Sequence, residues 1–473
     1  RLLCQRNLHG DDRVDVRDGR FHGDRHVDAD GDRDLDAYVD RHVDAYVDRY
    51  VHTDGDRYVH TDVDRHVDAY VDLDLDQHRD VHRHEHLRGL QRDLRVSERQ
   101  LQRRGDALRT HQSSHRAEQS SLGQTIYLRG GTYAFSSTIK ITKSGSSSAP
   151  LKLKAYPLDG TRPKLDFSAM AESDSNRGIQ LSGSYWQMYG IDLYKAGDNC
   201  MYVSGSNNRL EFMTFSECSD SGLQLSGGAA NNTVVNCDSF YNADSKLENA
   251  DGFAAKLDVG SGNKFIGCRA WNNLDDGWDG YLRGSDNINT TYENCWAIDN
   301  GKLKSGAVGA GDGNGFKTGG SDDKALKHNA SYTRCIAAGN VHDGFDHNSN
   351  RGSVTILNCA AHNNGSNINF SSSNPAASLK IKNTASIGTL GSQSASSTDI
   401  TNNSWQNGHA ATSADYSSID TSLLKAPRKS DGSLPTINYF KLLSGSDLIN
   451  AGVNVGLSYT GSAPDIGPFE YGQ

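Results

Sequence analysis

The chain has 473 residues, a formal net charge of −10 and 35% hydrophobic residues, but these averages combine two unlike parts. Residues 1–118 contain no Lys and no Pro yet hold 13 of the 18 His, whereas residues 119–473 contain all eight Pro. No run of about 18 apolar residues occurs, so we expect no membrane-spanning helix. Because the only Arg-rich stretch lies in residues 1–118, we expect no nucleic-acid partner.

The first 118 residues repeat Asp, Val, His, Arg and Tyr, as in DAYVDRHVDAYVDRYVHTDGD. If the codons are GC-rich, a one-base shift turns Asp-Ala-Tyr-Val-Asp into Thr-Pro-Thr-Ser-Thr, a linker composition typical of secreted multidomain enzymes. We therefore interpret residues 1–118 as an out-of-frame linker or a disordered charged tail without assigned function. The same linker composition favours an extracellular protein. The folded, catalytic part is placed at residues 119–473.

From residue 124 the chain reads as short strands. TIYLRGGTY, TIKIT and SAPLKLKAY are bounded by Gly and Ser, and helical periodicity is nearly absent. A unit of Cys, Asn five residues later, a loop and Asp/Asn-Gly-aromatic then recurs. Its four copies are Cys237–Asn242–Gly252, Cys268–Asn273–Gly277, Cys295–Asn300–Gly315 and Cys335–Asn340–Gly344. The unequal spacing of the glycines is typical of a solenoid with loops of variable length, and we predict an all-β, right-handed parallel β-helix.

In such a solenoid, equivalent residues of successive coils stack about 4.8 Å apart. The Cys and Asn columns are interpreted as internal ladders, with Cys as a small apolar filler and Asn bonding the Asn of the next coil. Cys218 and Cys359 are assigned to degenerate copies of the unit. No CxxC occurs, and no disulfide is predicted. The C-terminal INAGVNVGLSY and SAPDIGPFEYG are interpreted as a cap over the last coil.

Four acids gather around the Asp-Gly-aromatic strands. Asp251 and Asp276 occupy the same position one coil apart, and Asp275 and Asp279 flank Asp276 in LDDGWDG. Four carboxylates in one patch repel each other by a few kcal/mol per pair, about what is expected near a protein surface. A hard divalent cation with oxygen ligands removes that conflict, so the pattern favours Ca²⁺ over a plain acidic surface.

Lys317 lies in GNGFKTGG, in the same column as Asp279 and one coil later. The flanking glycines predict an uncrowded surface lysine beside the proposed cation. A base in this position can remove a proton next to a metal-bound carboxylate. Lys256 and His342 are the alternative bases.

NADGFAAKL, LDDGWDGY and GNGFKTGG together resemble the motifs of polysaccharide lyase family 9, the pectate and exopolygalacturonate lyases with a parallel β-helix fold. The resemblance covers roughly residues 124–473. It implies Ca²⁺ bound by Asp251, Asp275, Asp276 and Asp279, with Lys317 as the base. It also implies a secreted lyase, expected to be a monomer, that cleaves polygalacturonate by β-elimination.

Other readings stay open at this point. An exo-acting polygalacturonate lyase, or a lyase for another uronate polymer, keeps both the acids and the lysine. A glycoside hydrolase on the same fold uses two carboxylates and leaves Lys317 idle. A calcium-stabilised binding or adhesin solenoid keeps the acids and needs no lysine.

Overall fold

The computed structural model describes residues 16–17, 20–21 and 125–472, and the chain divides into two units, Arg1–Arg95 and Val96–Gln473. In the first unit, Val16–Arg17 and Arg20–Phe21 form a short antiparallel pair. The rest of the interpretation of residues 1–118 lies outside the described residues and stays a prediction. Among the described residues, no helix has the length and apolarity needed to cross a membrane.

The second unit is built from strands that visit three parallel sheets in turn, one strand of each sheet per coil. The first sheet comprises Thr125–Leu128, Leu151–Ala155, Trp186–Tyr189, Arg209–Glu211, Thr233–Val235, Asn263–Ile266, Ile288–Glu293, His328–Thr333, Ser353–Leu357, Ser378–Lys382 and Thr398–Thr401. The second comprises Gly131–Ala134, Pro163–Asp166, Asp192–Tyr194, Thr214–Ser216, Asp238–Phe240, Arg269–Trp271, Trp296–Ile298, Ile336–Ala338, Ala360–His362 and Ala385–Ile387. The third comprises Ile139–Ile141, Ile179–Leu181, Met201–Val203, Leu223–Leu225, Phe253–Ala255, Trp278–Asp279, Phe316–Lys317, Asp343–Asp346 and Ser366–Asn369. This confirms the predicted parallel β-helix.

Inside the coils, alternate residues of each strand pack into one continuous core. The inward aromatic residues of the third sheet stack on one another: the ring centroids of Phe253 and Trp278 are 5.0 Å apart, and those of Trp278 and Phe316 are 4.8 Å apart. Because these rings occupy the interior, the neighbouring residue in each strand points outward. That alternation places the polar residues of the motif on the outer face of the third sheet.

The asparagine column is confirmed at the turn between the second and third sheets. Its side-chain amides bond in series from Asn242 through Asn273, Asn300 and Asn340 to Asn364, at 2.8–3.0 Å. The ladder explains the glycine of each motif, since a Cβ built on Gly277 would lie 2.8 Å from the Asn300 amide nitrogen. No other residue leaves room for the ladder at that position.

The cysteine column needs one correction. Cys237, Cys268, Cys295, Cys335 and Cys359 are free and buried between the first and second sheets, as predicted. Cys218, in contrast, occupies the asparagine column, where its backbone N–H donates to Asn242 Oδ1 at 3.0 Å. It forms a disulfide with Cys200, so the expectation of no disulfide was wrong. The unit's spacing did not reveal the pairing because Cys200 stands outside the repeat.

The C-terminal segment also differs from the prediction. After the last strand, the chain forms the short 3₁₀ helices Ser413–Asp415 and Thr421–Lys425 and packs along the outside of the second sheet, where it buries Trp296 and Ile336. Residues 449–472, expected to cap the last coil, instead lie beside several coils. Their backbone oxygens accept hydrogen bonds from the turn residues Asn358, Asn383 and Asn402, which stack on successive coils.

Candidate active site

The outer face of the third sheet aligns the motif residues strand by strand. Ala254 pairs in register with Asp279, Asp279 with Lys317, and Lys317 with Asp346. The predicted column is therefore confirmed. Asp251 and Asp276 lie at the turn before their strands, next to this column.

Asp251, Asp275 and Asp276 form a compact, buried trio, with one carboxylate oxygen of each within 4.8 Å of the others. The Asp276 backbone N–H donates to Asp251 Oδ1 at 3.2 Å. Asn314, in the same column one coil later, donates its backbone and side-chain N–H groups to Asp276 Oδ1 at 2.8 and 2.9 Å. These bonds orient the trio.

Asp279 is linked to the trio by Lys256, whose ammonium group contacts both Asp251 and Asp279. Lys256 Nζ lies 2.7 Å from Asp251 Oδ2 and 3.3 Å from Asp279 Oδ2. The other oxygen of Asp279 accepts a hydrogen bond of 2.9 Å from the Tyr281 backbone. All four predicted ligands thus lie in one patch.

Burial and mutual repulsion raise the pKa of part of this patch. Burial raises the pKa of Asp276 well above its ordinary value. Burial and the carboxylate of Asp251 raise the pKa of Asp275 to about 7. The pKa of Asp279 is lowered, because the ammonium groups of Lys317 and Lys256 outweigh the opposite effect of burial. A bound cation would therefore favour the ionised forms of Asp275 and Asp276.

Lys317 is not the exposed surface residue that its flanking glycines predicted. Its side chain is only 11% exposed, and its Nζ lies 3.2 Å from Asp276 Oδ2 and 2.8 Å from Asp312 Oδ2. Burial acts to lower the pKa of Lys317, but the carboxylates of Asp276, Asp279 and Asp275 prevail and raise it well above its ordinary value. The reason for the error is the loop before Lys317, which carries Asp312 over the ammonium group.

Two contacts of the site were not predicted: Asp312, and Ser221, whose hydroxyl donates to Asp251 Oδ2 at 2.8 Å. Lys256, predicted only as an alternative base, contacts two of the predicted ligands, and its place in the sequence indicates that position. It stands two residues after Ala254, so alternation along the strand places it on the same outer face as Asp279. His342, an alternative base, is exposed at a turn.

The carboxylate oxygens of the patch are suitable ligands for a hard divalent cation. Asp276 Oδ2 is fully buried and makes no hydrogen bond to the described residues, although the Lys317 ammonium lies 3.2 Å away. An unbonded buried carboxylate oxygen is costly, and a cation at this point would satisfy it. With the neighbouring oxygens of Asp251 and Asp275, the patch supplies the all-oxygen environment that Ca²⁺ prefers.

Comparisons with known proteins agree with the fold. Residues 103–386 match the family model described as Pel9A-like, right handed beta helix region. The chain is 38% identical to pectate lyase L of Dickeya dadantii (strain 3937) over 360 residues, covering 74% of this chain and 83% of that protein. It is 41% identical to pectate lyase L of Paenibacillus polymyxa (strain SC2), covering 71% and 77%.

Among solved structures, the crystal structure of pectate lyase Pel9A superimposes with a TM-score of 0.67 at 37% identity, covering 73% of this chain and 88% of that one. A rhamnogalacturonan lyase superimposes with a TM-score of 0.61 at 26% identity, covering 68% and 89%.

Proposed function

The chain belongs to the Pel9A-like family of right-handed β-helix proteins, and we propose on that premise that it cleaves polygalacturonate in a calcium-dependent β-elimination. It is a polysaccharide lyase of the pectate lyase type. In the proposed site, Asp251, Asp275, Asp276 and Asp279 hold Ca²⁺, and Lys317 is the base.

The observation that carries the proposal is the position of Lys317. Its Nζ lies 3.2 Å from Asp276 Oδ2, a buried trio oxygen that makes no hydrogen bond to the described residues, and its strand pairs in register with that of Asp279. A uronate whose carboxylate binds at the trio therefore presents its C5 proton to this nitrogen. The alternative base Lys256 is less suitable, because it is held between two of the proposed ligands, Asp251 and Asp279.

The proposed reaction breaks the C5–H and C4–O bonds and forms an N–H bond and the C4–C5 double bond. Neutral Lys317 takes the C5 proton, the C5–H electron pair becomes the double bond, and the 4-linked oxygen leaves with the C4–O electron pair and takes a proton from water. A bound Ca²⁺ supplies the positive charge that acidifies C5–H. Asn314 and Ser221 keep Asp276 and Asp251 in place during the reaction.

Lys256 eases the electrostatic problem of a lysine base among acids. With the four ligand carboxylates and Asp312 ionised, and the Lys256 ammonium beside them, the net charge next to Lys317 is −4. A divalent cation would reduce that charge to −2 and so lower the pKa of Lys317 relative to the same patch without metal. Metal binding and activation of the base are thus coupled.

We propose that the enzyme acts outside the cell as a monomer. A polymeric uronate is too large to cross a membrane, so the enzyme must meet it where the polymer lies. All of the proposed site residues come from one chain and one sheet face, which supports activity without a partner subunit.

The test is an assay of the purified protein on polygalacturonate, methylated pectin, alginate and rhamnogalacturonan, with Ca²⁺ or with a chelator. We expect unsaturated, ultraviolet-absorbing ends from polygalacturonate, lost on chelation. Saturated reducing ends would instead indicate a glycoside hydrolase, and binding without cleavage would indicate a binding solenoid. The likeness to a rhamnogalacturonan lyase makes that polymer the second candidate substrate.

A further inference from the structure

Beyond the catalytic patch, the outer face of the third sheet continues towards the N-terminal coils. From Asp279 the same column passes in register through Ala254 and Gln224 to Tyr202 and Gln180. Adjacent strands are about 4.8 Å apart, so Tyr202 lies about 14 Å from Asp279 along the coil axis. These residues form an uncharged floor with hydrogen-bonding side chains and one aromatic ring.

Arg177 lies over that floor and is fixed from two sides. Its guanidinium carbon is 3.7 Å from the centroid of the Tyr202 ring, and its Nε donates to Asp198 Oδ2 at 3.2 Å. The two terminal nitrogens of Arg177 contact no acceptor among the described residues, although its side chain is only 26% exposed. A held guanidinium with free terminal N–H groups is arranged to bind a carboxylate through two parallel hydrogen bonds.

On the other side of the catalytic patch, towards the C-terminal coils, the column carries acidic and amide side chains. Beyond Lys317 the column continues as Asp346 and Asn369, and Asp343 occupies the neighbouring column. Within the part of the chain that the structure describes, these positions offer a polyanion no cation. The charge distribution therefore favours extension of a uronate chain towards Arg177.

We propose that Arg177 forms a distal subsite for a uronate carboxylate of the polymer chain, several sugars from the bond that is cleaved, with Tyr202 as the residue that positions its guanidinium. The subsite rests on the proposed function, because it assumes a uronate polymer bound at the Asp trio. It gives the bound chain a direction, with the longer segment over the N-terminal coils.

A subsite at this distance has a consequence that depends on chain length. A substrate that spans the catalytic patch alone does not reach Arg177, whereas one that extends about 14 Å further does. Loss of one charge-assisted contact then weakens binding of long chains only. A structural defect would weaken the turnover of all chains equally.

The experiment measures kcat and KM on galacturonate oligomers from trimer to octamer in Ca²⁺. We expect Arg177→Ala to raise KM for the octamer about tenfold, equivalent to about 1.4 kcal/mol, with kcat and the trimer's parameters unchanged. Tyr202→Phe should behave like the unaltered protein, because its ring remains, and Tyr202→Ala should resemble Arg177→Ala. Lys164→Ala is the matched control. The Lys164 Nζ lies 3.4 Å from the centroid of the Tyr194 ring on the second sheet, away from the outer face of the third sheet.

Equal losses for the trimer and octamer, or no loss for either, would overturn the subsite. If the unaltered protein cleaves no oligomer, the proposed function fails separately. In that case, calorimetry compares the affinity of the octamer for the unaltered protein with its affinity for Arg177→Ala. Equal affinities would overturn the subsite.

Discussion

Lys317 and Asp276 form the pair on which the proposed chemistry depends. Asp276 is fully buried, and one of its oxygens has no hydrogen bond among the described residues. Burial raises the pKa of Asp276 well above its ordinary value, and the ammonium of Lys317 opposes that shift. A cation would take over this part in the proposed active state. The same carboxylate that holds the ammonium group charged would release it when the cation binds.

Replacing Lys317 tests the base. The pKa of a free lysine is about 10.4, and a guanidinium stays protonated at any working pH. We expect Lys317→Arg and Lys317→Ala to lose about 10²–10⁴-fold in kcat, since a positioned base contributes that much. Calorimetry should show that Ca²⁺ binding is retained. Near-normal turnover of Lys317→Ala would remove Lys317 from the mechanism.

The pH dependence follows from the same group. The carboxylates of Asp276, Asp279 and Asp275 raise the pKa of Lys317, so the amine is neutral only at alkaline pH, and Ca²⁺ moves its deprotonation to lower pH. We expect kcat/KM to increase above neutral pH with a single deprotonation. Its midpoint should fall as the Ca²⁺ concentration increases towards saturation. A profile that is flat from pH 7 to 10 would contradict this assignment.

Asp276→Asn tests the metal site. The substitution keeps the shape of the side chain but removes one ligand charge, so the Kd for Ca²⁺ should increase by roughly a hundredfold. Ca²⁺ should increase the Tm of the unaltered protein, and this increase should be lost in the variant. Asp343→Asn, in the same column but outside the trio, is the control. Equal Ca²⁺ affinity of the two variants would argue against the trio.

At the scale of the element, the backbone conformation and the space at the turns of each coil restrict which residues can occupy them. The residue before each ladder position adopts a left-handed backbone, with φ of 51° at Asn272 and 53° at Asn363, a conformation that Asn tolerates better than most residues. The ladder amides then leave no room beside them for a Cβ. Space therefore requires Gly beside the ladder, whereas the left-handed position before it also accepts Tyr241 and Asp299.

Gly344→Ala tests this requirement. A Cβ at position 344 would lie 2.5 Å from Asn367 O and 2.7 Å from Asn364 Nδ2, so the ladder must shift. We expect the free energy of unfolding to fall by about 1–3 kcal/mol or more. Gly160→Ala, where a Cβ meets no atom within 4 Å, should change it little. Equal stability of the two variants in urea would show that the ladder tolerates the methyl group.

At the scale of the whole molecule, the C-terminal segment is tied back to the middle of the solenoid. Arg428 and Arg269 both bond to Asp238, at 2.7 and 2.8 Å. Arg269 also donates to the backbone of Leu424 and Ala426. This cluster joins the segment to the second sheet more than 150 residues away in the chain.

The Asp238 cluster gives the fold an acid-sensitive contact. Burial acts to raise the pKa of Asp238, but Arg428 and Arg269 prevail and lower it. A carboxylate with a lowered folded-state pKa contributes stability above its unfolded pKa of about 3.9, and the contribution is lost as pH falls through the folded-state pKa. We expect Arg428→Ala to cost about 3–5 kcal/mol at pH 7, with less difference below about pH 4. A pH-independent difference in urea unfolding would contradict the ionic origin.

The sequence by itself determined the solenoid, most of its columns and the clustering of the four aspartates with Lys317. Parallel strands stacked in register force equivalent positions of successive coils next to one another, so a repeat read along the chain specifies neighbours in space. That is why Asp279, Lys317 and the asparagine ladder were predicted correctly from spacing alone.

Only the tertiary structure decided contacts made by residues outside the repeat. The Cys200–Cys218 disulfide joins coils in which cysteine stands where later coils have the residues of the repeat. The Asp312 loop over Lys317 and the C-terminal segment along the second sheet involve loops or tails with no equivalent in neighbouring coils. Their partners are set by the path of a variable loop rather than by strand register. For the same reason, Lys317 was predicted to be exposed from its glycine neighbours but is covered by Asp312, because the loop just before it folds over the ammonium group.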